Sequence, residues 1–321
     1  MDNKQYDVVS IGDANIDLIV AGSDHLPEPG QEVFVSNMLV HIGGGAALFS
    51  MAVAKLGLKV AFNGVLGQDY YGQFILDEFS ELNIDTTYIR QSQHNNTGIS
   101  IALNPEQDRS FITYMGSNSE VRMEDLHENS MKYGRHVHMT GYQGSRNHDA
   151  YLAMIRKIKS FGTTISFDVG WDDTGEWYSG IFEIMREVDV FFLNELEALH
   201  YSDCSDIRQA IALMSKQSSH LVVKMGSRGA VSIQNGQQTY RSAYTVTAVD
   251  TTGAGDSFNA GYMYGVLTGK PAGECLQYGN ACGALSVSAY GGNTGIPDHA
   301  GVAAFIQNHS TQVVDDWEVI A

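Results

Sequence analysis

The segment DTTGAGDSFNAGY, residues 250–262, is the most informative stretch of this 321-residue chain. A β-like run, Tyr244–Val249, precedes it, and the segment itself is rich in alanine and glycine, so we expect a strand that leads into a helix. Gly253 and Gly255, on either side of Ala254, allow the backbone to approach a ligand closely. The free N–H groups at such a helix start form an anion site without a cationic side chain.

Asp256 stands at the opening of this predicted helix. A carboxylate beside a bound phosphoryl group can accept a proton from an attacking hydroxyl. On the alternative interpretation, Asp256 only caps the helix and the glycines only form a tight turn. A bare G-x-G-D pattern leaves both interpretations open.

The charge balance excludes several classes of partner. The chain has 19 Lys and Arg against 37 Asp and Glu, a net charge of −18, and residues 5–54 contain no Lys or Arg. A nucleic-acid binder needs clustered basic residues that displace phosphate counterions. We therefore expect neither nucleic acid nor a membrane surface as a partner. The 34 glycines, with only 5 prolines, indicate close backbone approach rather than linkers.

The three cysteines indicate a reducing compartment. Cys204, Cys275 and Cys282 are odd in number and form no C-x-x-C pair. The N-terminal residues lack the apolar core of a signal peptide, and no apolar stretch approaches the roughly 18 residues of a membrane span. We therefore expect a cytoplasmic protein.

Short apolar runs alternate with helical stretches from about residue 134 onward. The predicted strands are His136–Met139, Thr164–Asp168, Asp189–Leu193 and Leu221–Met225, and the predicted helices between them include Ala150–Phe161 and Asp206–Lys216. This rhythm is typical of βαβ units on a parallel sheet that is covered on both faces. Ligands of such sheets bind at the carboxyl ends of the strands.

The first third of the chain has a different pattern, with several β segments and few helices between them. The predicted strands are Asp7–Val20, split by a corner at Gly12–Asn15, then Glu32–Ile42, and a hairpin of Thr97–Leu103 and Ser110–Met115; a helix over Ala46–Leu56 follows Gly43–Gly45. We therefore expect a small accessory sheet beside the main one.

Taken together, these motifs resemble those of the ribokinase-like (PfkB-type) carbohydrate kinases over nearly the whole chain. The matching segments are residues 12–17, 43–45, 64–72, 194–197, 226–229, 250–261 and 291–297. The resemblance implies an α/β fold with one kinase domain over residues 1–321, a Rossmann-like three-layer domain with a mostly parallel central sheet. A small β-sheet lid would come mainly from segments within residues 12–42 and 97–116. The implied reaction transfers the γ-phosphoryl group of ATP to a sugar hydroxyl.

The resemblance also implies roles for individual residues. Asp256 would be the general base, and Gly253, Ala254 and Gly255 the anion hole. The substrate-binding positions are Asn15, Asp17, Gly43, Gly44 and Gly45. The ATP-binding positions are Asn194, Lys224, Gly226, Gly229 and Asn280. Taken alone, Asp17 can equally well cap a turn, and Lys224 either contacts a phosphate or reaches solvent.

The same resemblance also implies positions for two metal ions. Glu197 would lie near Mg²⁺, directly or through water, although Asn194-x-x-Glu197 in isolation is also typical of an ordinary helix start. A monovalent cation, K⁺ by hypothesis, would be held at Asp250, Thr252, Ser286, Ala289 and Gly291. Lid sheets often pair in this family, so a homodimer is expected.

The sequence departs from the family pattern at Leu48, where an asparagine usually binds a sugar hydroxyl. An apolar side chain would leave that hydroxyl unpaired, at a cost of roughly 1–3 kcal/mol. The six carboxylates and absent cations of residues 5–54 favour a small neutral sugar, unless Arg90 or Arg109 reaches the site. A nucleoside kinase of the same fold and a non-catalytic sugar or nucleotide sensor are the alternatives.

Overall fold

The computed structural model describes residues 4–23, 27–105, 110–292, 294–311 and 313–314. The strands are β1 (Tyr6–Ile11), β2 (Asn15–Ser23), β3 (Asn37–Gly43), β4 (Val60–Asn63), β5 (Val65–Leu66), β6 (Arg90–Gln91), β7 (Gly98–Pro105), β8 (Ser110–Tyr114), β9 (Gly134–Met139), β10 (Thr164–Asp168), β11 (Val190–Asn194), β12 (His220–Lys224), β13 (Ala230–Gln234), β14 (Gln237–Arg241) and β15 (Val313–Val314). The helices are α1 (Gly45–Lys55), α2 (Tyr70–Glu81), α3 (Glu128–Tyr133), α4 (His148–Ser160), α5 (Ile181–Glu187), α6 (Glu195–Ser202), α7 (Ile207–Met214), α8 (Ala254–Leu267), α9 (Ala272–Val287) and α10 (His299–Asn308).

The large sheet confirms the predicted α/β class. Its order within the described residues is β15-β14-β13-β12-β11-β10-β9-β1-β4. The strands from β4 to β12 pair in parallel, and β13, β14 and β15 add antiparallel pairs at one edge. One apolar core lies under α3 to α7, and a second lies under α1, α2 and α8 to α10. The fold therefore has three layers, with helices on both faces of the sheet.

A separate sheet in the order β3-β2-β7-β8 confirms the predicted accessory sheet. Asp17 pairs with His41 on one side and with Ser100 on the other, and Ser100 pairs with Thr113. Side chains in one such cross-strand row point to the same face of a sheet. Of the predicted hairpin connection, residues 106–109 lie outside the described residues.

Two strand predictions need correction. The segment predicted from Glu32 becomes a strand only at Asn37. Tyr244–Val249 forms no strand, although its residues are β-branched and apolar. The N–H groups of Val249 and Asp250 both donate to the carbonyl of Val287 at the end of α9, and Tyr244 packs its ring against α10. Tertiary contacts with two helices therefore replace strand pairing.

Helices α8 and α9 pack with their backbones in close approach. A Cβ atom built at Gly261 of α8 would lie 2.4 Å from the carbonyl oxygen of Tyr278 in α9, and one at Gly265 would lie 2.9 Å from Cys275. Such distances exclude any larger residue without a shift of the helices. Part of the glycine excess therefore sets the position of α8 relative to α9. No helix among the described residues is long and apolar enough to span a membrane.

Candidate active site

Two cavities meet at the start of α8. The larger cavity, about 800 Å³, is lined by Asp17 of the small sheet and by Gly253 and Asp256. The smaller cavity, about 420 Å³, is lined by Ala254 and Gly255 of the same turn. The first turn of α8 therefore forms a wall with one cavity on each side.

Gly253 makes this wall possible. It caps the N-terminus of α8 with a φ of 68°, in the left-handed region that favours glycine. A Cβ atom there would lie 2.6 Å from Cδ1 of Leu48 and 2.8 Å from Cα of Gly292. Leu48, which replaces the asparagine expected at this position, is 2% exposed, and its side chain packs against Gly253 and Gly292 at the edge of the larger cavity.

Asp256 is the half-buried carboxylate of the wall. Burial, and next the negative charge of Asp168, raise the pKa of Asp256 to about 7, although Lys224 opposes the shift. A Cβ atom built at Gly45 would lie 3.0 Å from its Oδ1, so the start of α1 closes in on the carboxylate. A carboxyl group with a pKa near neutrality is suited to accept a proton at physiological pH.

Lys224 is buried beside the wall, which rules out the interpretation that it reaches solvent. Its Nζ lies 2.8 Å from Oδ2 of Asp168, and their side chains are only 13% and 8% exposed. Asn259 of α8 donates a hydrogen bond to the same oxygen. Burial alone would lower the pKa of Lys224, but the carboxylates of Asp168 and Glu197 outweigh it and raise that pKa above its usual value.

The ion pair between Lys224 and Asp168 was not predicted from the sequence. Asp168 was recognisable as a strand end, but its pairing with Lys224 depends on β10 and β12 lying on either side of β11. Lys224 also lies close to the anion hole, because its Nζ would be 3.3 Å from a Cβ atom built at Gly255. The pair thus places one ammonium group at the wall between the cavities.

Asn194 and Glu197 form a reciprocal cap at the start of α6. The N–H of Glu197 donates to the Asn194 side chain, and the N–H and Nδ2 groups of Asn194 donate to the two carboxylate oxygens of Glu197. Burial, and then the charge of Asp168, raise the pKa of Glu197 to about 7. Within the described chain no group of three or more His, Cys, Asp or Glu residues is arranged to hold a metal ion. Because both oxygens of Glu197 are occupied, they fit contact with Mg²⁺ through water better than direct ligation.

Four of the five predicted acceptor positions line the larger cavity, namely Asn15, Asp17, Gly44 and Gly45, and Gly43 lies against Asp17. Nδ2 of Asn15 donates to Oδ1 of Asp17 at 2.8 Å, and burial raises the pKa of Asp17 to about 7. A Cβ atom built at Gly43 would lie 2.1 Å from that carboxylate, and Gly44 adopts a φ of 92°. Asp13, which the sequence interpretation left out, accepts a hydrogen bond from the N–H of Gly45 and lines the same cavity.

Four of the five predicted ATP positions line the smaller cavity, namely Lys224, Gly226, Gly229 and Asn280, whereas Asn194 does not. Gly226 and Gly229 form the turn after β12, and a Cβ atom at Gly229 would lie 2.1 Å from the carbonyl oxygen of Arg241. Nδ2 of Asn280 donates to the carbonyls of Arg241 and Ser242, both at 3.1 Å. Apolar side chains complete the lining of the cavity, namely Val246, Phe258, Ala284 and Val287. The lining of the smaller cavity is thus mostly apolar. The backbone N–H groups of the first turn of α8 and the ammonium of Lys224 lie at the wall between the cavities.

The predicted cation positions are brought together in part. The carboxylate of Asp250 accepts hydrogen bonds from the N–H groups of Thr252 and Gly291, at 2.9 and 3.1 Å. The N–H of Ala289 donates to the carbonyl of Ser286 at 3.4 Å. Asp250 therefore ties the loop after α9 to the segment that precedes α8.

The family model described as pfkB family carbohydrate kinase matches residues 5–299. The chain belongs to the pfkB family of carbohydrate kinases. It is 29% identical to an ATP-dependent ribose-1-phosphate kinase of Halopiger xanaduensis, over 93% of this chain and 97% of that protein. It is 26% identical to a ribokinase of Arabidopsis thaliana, over 94% of this chain and 81% of that protein. An E. coli protein assigned to ribokinase II, solved in complex with ATP and Mg²⁺, superposes with a TM-score of 0.85 at 25% identity, over 95% and 100% of the two chains.

The raised pKa of Asp256 predicts a stability effect in this kinase. A carboxyl group whose pKa is raised by folding is favourable below its unfolded pKa of about 4, and that stabilisation is lost as the pH rises through about 7. Asp256→Asn should therefore raise the Tm by a few degrees at pH 8 and change it little at pH 4. The measurement is thermal unfolding against pH, with the exposed Asp125→Asn as the matched control. A Tm at pH 8 below that of the wild type would contradict the assignment.

Proposed function

We propose that this chain transfers the γ-phosphoryl group of ATP to a hydroxyl of a small polyhydroxy acceptor. The observation that carries the proposal is the wall between the two cavities. Asp256 faces the larger cavity, whereas Ala254, Gly255 and Lys224 face the smaller one. An acceptor and ATP bound in the separate cavities would meet at this turn, as in-line transfer requires.

In this mechanism Asp256 accepts the proton of the attacking hydroxyl. A bond forms between the acceptor oxygen and the γ-phosphorus, and the bond from that phosphorus to the β,γ-bridging oxygen breaks, which releases ADP. The N–H groups at the start of α8 and the ammonium of Lys224 stabilise the negative charge on the transferred group. Mg²⁺ bound with ATP would neutralise further phosphate charge, and Asn194 and Glu197 would hold it through water.

We propose that the small sheet is the lid of a single kinase domain. Asn15 and Asp17 on β2, with Ser100 and Thr113 on the neighbouring strands, line the larger cavity. Carboxylate and amide groups are suitable partners for hydroxyl groups of a polyol. A sheet that closes over the acceptor excludes water and so limits hydrolysis of ATP.

Removal of the base should slow transfer strongly but should not prevent binding. Asp256→Asn keeps the shape of the turn and cannot accept the proton, so kcat should fall about 100- to 10,000-fold. ATP consumption is measured over a panel of sugars and nucleosides, with Asp125→Asn as control. For the wild type, kcat/KM should rise with pH through about 7 as Asp256 loses its proton. Ligand binding without turnover in both wild type and variant would favour the sensor.

We further propose a monovalent cation site at the loop fixed by Asp250. Its donors would be Asp250 and Thr252 together with carbonyls of Ser286, Ala289 and Gly291. A cation there would act on the anion hole through Gly292, whose Cα lies 2.8 Å from a Cβ atom built at Gly253. The rate in K⁺ should exceed that in Na⁺ or choline at equal ionic strength. Equal rates in the three salts would contradict the site.

The exposed face of the small sheet supports a homodimer. Met38, Val40 and Ile112 are 61%, 42% and 60% exposed on the face opposite to Asp17. The same face borders an apolar groove of about 540 Å³ that Tyr70 and Tyr114 help to line. Apolar patches of this kind mark protein interfaces. We propose that a second copy of the chain covers this face.

The dimer is tested by adding a charge to one face of β8. Ile112→Glu should convert the dimer into monomers, because a buried unpaired carboxylate opposes association. Phe111→Glu is the matched control, since Phe111 is 55% exposed on the opposite face of the same strand. Light scattering after gel filtration measures the mass. A monomeric wild type, or an Ile112→Glu variant that remains dimeric, would refute the interface.

We also propose a cytoplasmic location. Cys204, Cys275 and Cys282 are all free thiols in the structure, which suits a reducing compartment.

A further inference from the structure

The mouth of the larger cavity has two arginines that the proposed reaction does not use. Arg122 follows the 3₁₀ turn Gly116–Glu120 after β8, and Arg146 ends the 3₁₀ turn Gly144–Arg146 after β9. Both line the larger cavity, and both are exposed. Two distant segments of the chain thus bring guanidinium groups to one opening.

These two arginines differ from most others in the chain. Six arginine side chains bind a carboxylate, an amide, a hydroxyl or a carbonyl: Arg90, Arg135, Arg156, Arg186, Arg228 and Arg241. Among the described residues, the side chains of Arg122 and Arg146 have no such partner, and the third of this kind, Arg208, lies on α7 away from the cavity. Within the part of the chain that the structure describes, the guanidinium groups of Arg122 and Arg146 are therefore available to a ligand in the larger cavity.

The two ends of the cavity differ in charge. Asp13, Asp17 and Asp256 are half-buried at the inner end, without a basic residue in the cavity lining there. At the mouth the exposed Glu124 and Asp173 are matched by the two arginines. The mouth is therefore close to neutral and supplies guanidinium donors, whereas the inner end repels anions.

The position of the arginines also bears on the size of the acceptor that the larger cavity can hold. The cavity holds about 800 Å³, within the range of about 300–1,000 Å³ for ligand sites, and extends from Asp256 to the arginines. An acceptor whose hydroxyl lies at Asp256 therefore has room for a substituent that points to the mouth. Guanidinium groups bind carboxylates and phosphates through two parallel hydrogen bonds.

We infer that the acceptor is a polyol with one anionic group, a carboxylate or a phosphate, at the end remote from the reacting hydroxyl, held by Arg122 and Arg146. The inference rests on the proposed kinase function. The neutral acceptor expected from residues 5–54 then describes only the part of the molecule at the inner end. Arg90 pairs with Glu120 and does not serve this role, and Arg109 lies outside the described residues.

The test compares acceptors in matched pairs. D-gluconate is paired with D-glucitol, and D-ribose 1-phosphate with D-ribose, within a wider panel of sugars, sugar acids, sugar phosphates and nucleosides. The highest kcat/KM should belong to an anionic acceptor, and the two pairs show whether carboxylate or phosphate is preferred. A neutral sugar or nucleoside as the best acceptor would overturn the inference.

Variants of the two arginines test whether they cause the preference for an anionic acceptor. Arg122→Gln with Arg146→Gln should lower kcat/KM for the anionic acceptor at least tenfold, mainly through KM, and change it less than twofold for the neutral member of the pair. Arg208→Gln is the matched control. An equal loss for both members, or no loss, would overturn the arginine site.

A direct binding measurement separates this inference from the kinase proposal. If the wild type turns over no acceptor of any class, the proposed function fails. Thermal shifts with gluconate and ribose 1-phosphate then judge the arginines alone. Stabilisation of the wild type that the double variant loses supports the site, and stabilisation that is absent or unchanged in the variant refutes it.

Discussion

The left-handed turn at Gly253 is the constraint on which the site depends. Leu48 and Gly292 fill the space where a side chain would stand, so only glycine fits at the residue that precedes α8. The glycine contacts with α9 then fix the direction of the helix. As a result, one helical turn presents backbone donors to one cavity and a carboxylate to the other.

Charge in this region is balanced by very few cations. Asp168, Glu197 and Asp256 surround one buried ammonium, that of Lys224, and burial raises the pKa of both Glu197 and Asp256 to about 7. A buried ion pair costs desolvation energy, so Lys224 and Asp168 add little net stability. Their pairing instead keeps a cation beside the anion hole of a strongly acidic protein. Backbone dipoles and the ligands' own ions supply the remaining positive charge.

Local sequence patterns predicted the main architecture because each strand and helix is marked by residues that are close together in the chain. The alternation of short apolar runs with helices gave β9 to β12, and the segment at residues 250–262 gave the start of α8. Tyr244–Val249 was predicted wrongly, since the ring of Tyr244 and the backbone N–H of Val249 contact helices that a local pattern cannot represent. The small sheet was predicted by its hairpin and its corner.

Other parts of the site were beyond the reach of the sequence. Lys224 and Asp168 are 56 residues apart and meet only because their strands flank β11. Asn259 lies within the informative segment, but nothing in its spacing indicates Asp168 as its partner. Arg122 and Arg146 lie beside or within short 3₁₀ turns, where no periodicity shows which way a side chain points. The carboxylates of residues 5–54 therefore described only the end of the larger cavity that Asp13 and Asp17 line.

The wall at α8 also bears on the order in which ligands enter. The larger and smaller cavities are lined by separate sets of residues, so neither ligand lies in the path of the other. Geometry alone thus permits random addition of the two substrates. An obligatory sequence of binding, where observed in steady-state kinetics, would have to arise from movement of the small sheet.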